Sequence, residues 1–387
     1  VKIFNLTMIK RLLLIALASG GSLFPSPVLA QSLPLVPVTE ASRGVGFDEQ
    51  LWGNQCHRGD KQALIQAINH SLSYLNTASA AKAYQNYPVK AITRDRVRRS
   101  LVRFRTLLQQ SPSPEALQGA IQREFQFYQA TGNDNQGTVH FTGYFEPIYT
   151  ASRRRTAEYR YPIYAKPANF GSWKAPHPTR ATLEGIDGLG TTSPLKGQEI
   201  AWFKHRLDAY LIQVQGSAKL NWVEGGQTSI AFAGTTDYPY TSLGKETIKE
   251  GIFQPGEVTL PKLIDYFAQN PQELDRFIPR NNRMVFFQQT SAATPARGSI
   301  GVPVTAERSV ATDKSLMPPG AIAVLATQIP DCQGNKIAVQ RFVLDQDTGS
   351  AIKGPGRVDI FMGTGQLPGD RAGLMSDDGR FYYLLLK

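Results

Sequence analysis

From about residue 140 the chain breaks into short β-favouring runs separated by glycine, proline and asparagine, and that texture limits the folds open to it. Residues 139–144, 159–165, 209–215 and 228–233 read as strands, and strands resume at 284–288 and continue to 382–386. Many short strands with turn signals between them predict a barrel or a sandwich. A brief helical return is expected at 260–268, where Thr259 offers an N-cap, and again at 272–277. The strands do not alternate regularly with helices, which disfavours a dinucleotide fold. The glycines of Gly354-Pro355-Gly356 and Gly363-Thr364-Gly365 have no helix pattern behind them, so a phosphate loop is disfavoured too.

Ahead of this region, residues 31–45 form a proline-rich lead-in, and the chain looks helical from there to about residue 130. Leu64, Ile68, Leu72 and Leu75 make one apolar stripe. Val97, Leu101, Phe104 and Leu108 make another, with the arginines of 94–105 mainly on the opposite, solvated face. Ser113-Pro114-Glu115 has the form of a helix start and leads into Leu117, Ile121, Phe125 and Tyr128 at helical spacing.

Residues 1–30 read as a secretory signal, with Lys10 and Arg11 before an apolar core and Val28-Leu29-Ala30 as a cleavage site. No cysteine follows that apolar run, so no lipid anchor is expected. The formal charge is +11; Lys2, Lys10 and Arg11 lie in the signal without any acid, so 11 − 3 leaves +8. An exported basic protein favours anionic partners such as cell-wall polymers, and nucleic acid is not expected. Cys56 and Cys332 could pair in an oxidising compartment, but nothing in the sequence brings them together. The histidines (His57, His70, His140, His177 and His205) form no ligand pattern with them, so neither a metal nor a cofactor is expected.

The chemistry concentrates between residues 344 and 361, where Asp347 and Asp359 sit in a glycine-rich, β-favouring context. Rigid strand ends can hold carboxylates facing a cleft. Asp347-Thr348-Gly349-Ser350 spells the local signature of pepsin-like aspartic proteases, but those enzymes need two such loops and the chain offers one. In Arg357-Val358-Asp359-Ile360-Phe361, strand geometry puts Asp359 on one face with Arg357 and Phe361. The plain alternative is a solvent-facing aspartate paired with Arg357. Asp313 is a third acid, and its plain alternative is a turn former.

Several ordered motifs resemble one family. Ser309-Val-Ala-Thr-Asp313, Met317-Pro-Pro-Gly320, Asp347-Thr-Gly-Ser-Ala-Ile-Lys-Gly354 and Arg357-Val-Asp-Ile-Phe-Met-Gly363 are similar to the three-aspartate domain. Upstream, Phe141-Thr-Gly-Tyr-Phe-Glu-Pro147, Tyr161-Pro-Ile-Tyr164, Asp208-Ala-Tyr-Leu-Ile-Gln-Val-Gln-Gly-Ser217 and Tyr238-Pro-Tyr-Thr-Ser-Leu-Gly244 resemble the membrane-bound lytic murein transglycosylase A family. The resemblance covers roughly residues 140–387. It departs from the family at the anchoring cysteine and at Thr236-Asp237-Tyr238, where an Asn-Gly is expected.

The resemblance implies a mainly β protein with N-terminal helices: a double-psi β-barrel, a second inserted β-barrel, and a glycan cleft between them. The implied division is 31–144 and 286–387 for the first domain and 145–285 for the second. The implied activity cleaves the β-1,4 bond between N-acetylmuramic acid and N-acetylglucosamine in peptidoglycan, leaving 1,6-anhydro ends. The role of single acid and base falls on Asp359, with Asp347 and Asp313 as acidic companions.

Expected substrate contacts are Tyr144 and Phe145 stacking on sugars, and Gln213, Gln215 and Ser217 alternating along one strand face. Lys353 and Arg357 would face carboxylates of the substrate. Their plain alternatives are core packing for the aromatics, an exposed strand for the glutamines and ordinary surface charge for the cations. Glycan strands are the expected partner, with proteins of the cell-wall machinery beside them, in the periplasm or at the outer membrane. A non-catalytic glycan-binding barrel is the alternative function.

Overall fold

The computed structural model describes residues 33–38, 44–53, 56 and 58–387; the segment read as a signal, and His57, lie outside the described residues. Strand β1 (Leu35–Val38) is followed by helices α1 (Lys61–Leu75), α2 (Ala78–Gln85), α3 (Arg94–Gln110) and α4 (Pro114–Glu124). The side chains of Thr77, Thr93 and Ser113 cap α2, α3 and α4 by accepting the amides of Ala80, Arg96 and Ala116. Both expected apolar stripes are turned inward; Leu64, Ile68, Leu101, Phe104 and Leu108 are fully buried.

The helix expected to run to Tyr128 stops at Glu124. Phe125–Ala130 is strand β2 instead. Its aromatic residues favour extended backbone, and pairing with a neighbouring strand outweighs the continued helical spacing of Phe125 and Tyr128.

Next come β3 (Val139–Glu146), β4 (Ile148–Ala151), β5 (Tyr161–Tyr164), α5 (Arg180–Glu184), β6 (Glu199–Phe203) and α6 (Arg206–Gln215). They are followed by β7 (Ser217–Trp222), β8 (Gln227–Thr235), α7 (Leu243–Lys249), α8 (Leu260–Gln269), α9 (Leu274–Phe277) and β9 (Val285–Ser291). The chain ends with β10 (Ser309–Ala311), β11 (Ile322–Pro330), β12 (Lys336–Asp347), β13 (Arg357–Thr364), α10 (Gln366–Gly373) and β14 (Ser376–Leu386).

Six of these strands close a ring in the order β14, β11, β12, β10, β13, β3 and back to β14, with β2 and β1 extending outward from β14. Within the ring β10–β12 and β13–β3 are parallel. Phe141, Val310, Val358, Ile360 and Met362 join the helix residues Leu64, Leu101 and Phe104 in one core. A second ring lies between β3 and β10 in the sequence. The sheet β4-β7-β8-β9 and the pair β5-β6 are joined by bridges between Ala165 and Phe287 and between Ser152 and Trp202. Ala151, Ile163, Phe203, Leu220, Ile230 and Phe287 fill it. The architecture is thus mainly β, with helices first and one barrel inserted into another.

Residues 209–215 are helical, not the expected strand. Leu207, Tyr210 and Leu211 of α6 face one apolar cluster while Ala209 and Ile212 face the second barrel's core. A helix buried on two sides has no polar face, so its apolar run is indistinguishable from a buried strand by pattern alone. Gly216 ends it in the left-handed conformation that glycine adopts without strain.

Two long-range links tie the N-terminal segment to the first barrel. Cys56 and Cys332 form a disulfide. Arg308, fully buried, donates to Asp60 at 2.6 and 2.8 Å, to Asp48 at 2.5 Å and to the Phe342 carbonyl at 3.0 Å. Replacing Arg308 by Met leaves the buried Asp48 carboxylate with the Phe342 amide at 2.9 Å and Arg341 at 3.6 Å and should destabilise the fold by about 3–5 kcal/mol, read from the midpoint of chemical denaturation; a change below ~1 kcal/mol would show that Arg341 compensates for the loss.

Candidate active site

β13 lies between β10 and β3, and its residues alternate as the sequence requires. Val358, Ile360 and Met362 fill the barrel, while Arg357, Asp359 and Phe361 face outward. On one side Asp359 is opposite Ala311 of β10, and on the other it is opposite Thr142 of β3. The Thr142 hydroxyl donates to Asp359 Oδ1 at 2.8 Å, and Arg357 Nη2 donates to Thr142 Oγ1 at 3.1 Å. Arg357 therefore reaches Asp359 through Thr142 rather than by direct pairing. Burial pushes the Asp359 carboxyl up to about 6, opposed by the Thr142 hydrogen bond and the Arg357 charge and reinforced by the negative charge of Asp347.

Asp347 ends β12. A register shift in the β10–β12 pairing sets Ala311 opposite it, so that Ala311 separates the strands carrying the two aspartates. Two inter-strand spacings put those backbones roughly 10 Å apart, and the small Ala311 side chain leaves room between them. Tyr144 of β3 reaches across, and its hydroxyl donates to Asp347 Oδ2 at 2.8 Å. The Ser299 and Thr348 amides donate to Asp347 Oδ1 at 2.8 and 2.7 Å. Burial raises the Asp347 carboxyl above its ordinary value, against the Tyr144, Ser299 and Thr348 hydrogen bonds and the Lys314 charge.

The other expected site residues divide. The Tyr144 ring packs against Phe361 with centroids 5.2 Å apart. Phe145 packs against the first core, and its amide donates to Gln215 Oε1 at 3.2 Å, joining the two barrels. Asp313 is a loop organiser: it accepts the Ser315 hydroxyl at 2.6 Å and the Gly354 amide at 2.9 Å. Burial alone would raise its carboxyl, but those hydrogen bonds, with Lys353 nearby, overcome that and hold it below the usual value. Lys353 is exposed.

The shared strand face expected for Gln213, Gln215 and Ser217 does not exist. The two glutamines lie on α6 and Ser217 opens β7. Gln213 is buried and accepts from Arg180 at 3.0 Å and from the Val285 amide at 3.1 Å, so its oxygen is engaged inside the protein. Thr142 was passed over in the sequence although it lies within Phe141-Thr142-Gly143-Tyr144. The signal was its two-residue offset from Tyr144, which puts both on one strand face. Lys314 and Asp345 were missed as well, and only the folded barrel brings them behind Asp347.

The same segments carry the relationship to known proteins. A model of the MltA specific insert domain matches residues 140–288, and one of the 3D domain matches residues 308–385. The chain belongs to the MltA family. Membrane-bound lytic murein transglycosylase A of Escherichia coli K12 is 31% identical over 261 residues, 66% of this chain and 68% of that protein. The Vibrio cholerae protein of the same name is 29% identical over 283 residues, 72% and 73% of the respective chains. Among solved MltA structures, the E. coli protein with bound chitohexaose superposes with a TM-score of 0.66 at 25% identity, covering 84% of this chain and 90% of that one. The Agrobacterium tumefaciens enzyme shares the fold, with a TM-score of 0.67 at 24% identity and coverage of 84% and 93%.

Within this MltA-type site the Thr142 hydroxyl favours the ionised form of Asp359. Thr142→Val keeps the branched shape, removes the donor and should move the Asp359 midpoint above about 6. A carbon-13 carboxyl titration checks this; a downward shift would mean that the released Arg357 takes the donor's place.

Proposed function

We propose that the chain is an exported lytic transglycosylase that cleaves the β-1,4 bond between N-acetylmuramic acid and N-acetylglucosamine in peptidoglycan. Asp359 is its single acid and base, and the product carries a 1,6-anhydro end. The observation that carries this reading is the Asp359 carboxyl, pushed by burial to about 6 and therefore largely protonated in mildly acidic conditions and partly so near neutrality. The murein-cleaving names of the relatives and the glycan bound by the E. coli structure support the substrate class.

An ordinary glycosidase uses two carboxyl groups, one for the leaving oxygen and one for water or for the sugar itself. A transglycosylase replaces the water with the C6 hydroxyl of the muramyl sugar, and tethering lowers the barrier by positioning alone. Asp359 gives its proton to the glycosidic oxygen as the C1–O bond breaks. The C6 oxygen then bonds to C1, and its proton passes to the Asp359 carboxylate, restoring the acid. Asp347 supplies negative charge beside the cationic sugar and discourages early ionisation of Asp359. Tyr144 offers an aromatic edge along the cleft, and Arg357 a cation for acidic groups of the stem peptide. The N-terminal signal reading and the murein substrate agree on a periplasmic setting.

Incubating the protein with purified sacculi and weighing the released fragments by mass spectrometry separates the outcomes. Anhydro-muramyl ends support the proposal, reducing ends indicate a hydrolase, and binding without release indicates the non-catalytic barrel. Asp359→Asn should lower release by at least ~100-fold while glycan binding persists. Because the first step needs the protonated acid and its midpoint lies at about 6, activity should hold below that pH. Above it, activity should fall by about tenfold per pH unit. Activity rising from pH 6 to 8 would remove Asp359 from the acid role.

A further inference from the structure

Behind Asp347, on the interior side of the barrel, lies an ion pair that the reaction as described does not use. Asp345 is fully buried. Its carboxylate accepts from the Thr312 hydroxyl at 2.8 Å, from the Tyr383 hydroxyl at 2.7 Å and from Lys314 Nζ. The same ammonium donates to the backbone carbonyl of Asp347 and to Thr312 Oγ1 at 3.1 Å. Thr312 completes the frame: its amide donates to the Asp347 carbonyl at 3.0 Å, and its own carbonyl accepts the Thr348 hydroxyl at 2.7 Å. Lys314 and the Thr312 amide both meet at the Asp347 carbonyl.

We propose that Lys314 and Asp345 are positioning residues for the reaction, an internal prop that fixes where the Asp347 carboxylate sits and keeps it charged. This rests on the acid role of Asp359 proposed above. A buried ion pair contributes little net stability compared with well-packed apolar residues of the same volume. What it offers here is a positive charge held beneath Asp347. The other groups facing Asp347 are Tyr144 from β3 and the Ser299 and Thr348 amides, while Asp359 of β13 feels its charge and Asp345, two residues back on the same strand, shares the Lys314 ammonium. The Lys314 charge favours the Asp347 carboxylate against the cost of burial, and the Asp347 charge in turn favours the protonated form of Asp359.

The sign of the effect follows. Without Lys314, Asp347 takes up a proton more readily, repels the Asp359 carboxylate less, and Asp359 ionises at lower pH.

The test compares wild type, Lys314→Met, Lys314→Arg and Asp345→Asn, with rates of anhydro-end release and carbon-13 carboxyl titrations of Asp347 and Asp359 across pH. For Lys314→Met we expect kcat to fall by roughly 10- to 100-fold with little change in KM. The alkaline limb should move to lower pH, with the Asp347 midpoint up and the Asp359 midpoint down. Lys314→Arg should recover the wild-type profile. Asp345→Asn keeps the shape and one acceptor oxygen but removes a competing anion, so it should move the two midpoints the opposite way; it decides the matter if Lys314→Met does not fold. Unchanged midpoints and pH profile, whatever the melting temperature, would overturn the proposal and leave the pair a structural role. If wild type releases no anhydro ends, the functional reading fails, and the carboxyl titrations still decide the prop.

Discussion

The seam between β3 and β14 is the constraint on which the rest depends. It pairs residues 139–142 with residues 376–379 and turns an open sheet into a ring. Without it, β3 and β14 would each present an unpaired edge, and β13 would lose the frame that fixes the height of Asp359 against Thr142. β3 also continues into the second barrel after Glu146, so the strand that closes one ring leads into the other. The strand face that carries Asp359 is therefore a by-product of closure.

The two aspartates share burial but differ in the donors around them. Asp347 accepts from Tyr144, Ser299 and Thr348 and feels Lys314, whereas Asp359 accepts from Thr142 and feels Arg357 at one remove. Donors aimed at a carboxylate favour its ionised form. Burial raises both carboxyls, but Asp347 has more donors opposing that cost than Asp359 has.

Much of this was legible from the residues. Alternation in Arg357-Val358-Asp359-Ile360-Phe361 predicts the outward face of β13, and Ser113 and Thr259 cap helices as their sequence context predicts. What failed depended on tertiary context. The strand expected at 209–215 is a helix because both of its sides are buried, and Phe125 and Tyr128 left the helix for a strand because β14 offers a partner. The register shift at Ala311, the Cys56–Cys332 disulfide and the Lys314–Asp345 pair each join segments distant along the chain. No local pattern encodes such contacts. The family motifs mark the segments that carry Asp347 and Asp359, while the electrostatics around them needed the fold.

The placement of β14 also has a consequence for the order in which the ring can form. This last strand is central, hydrogen-bonded to β2, β11 and β3. A chain made from its N-terminus delivers β3 early and must wait, through the whole inserted barrel, for the partner that completes the ring. Contacts of such long sequence separation form late. The strand face that carries Asp359 is therefore framed only once β14 is in place, and a chain cut before Ser376 carries both aspartates without the closed ring around them.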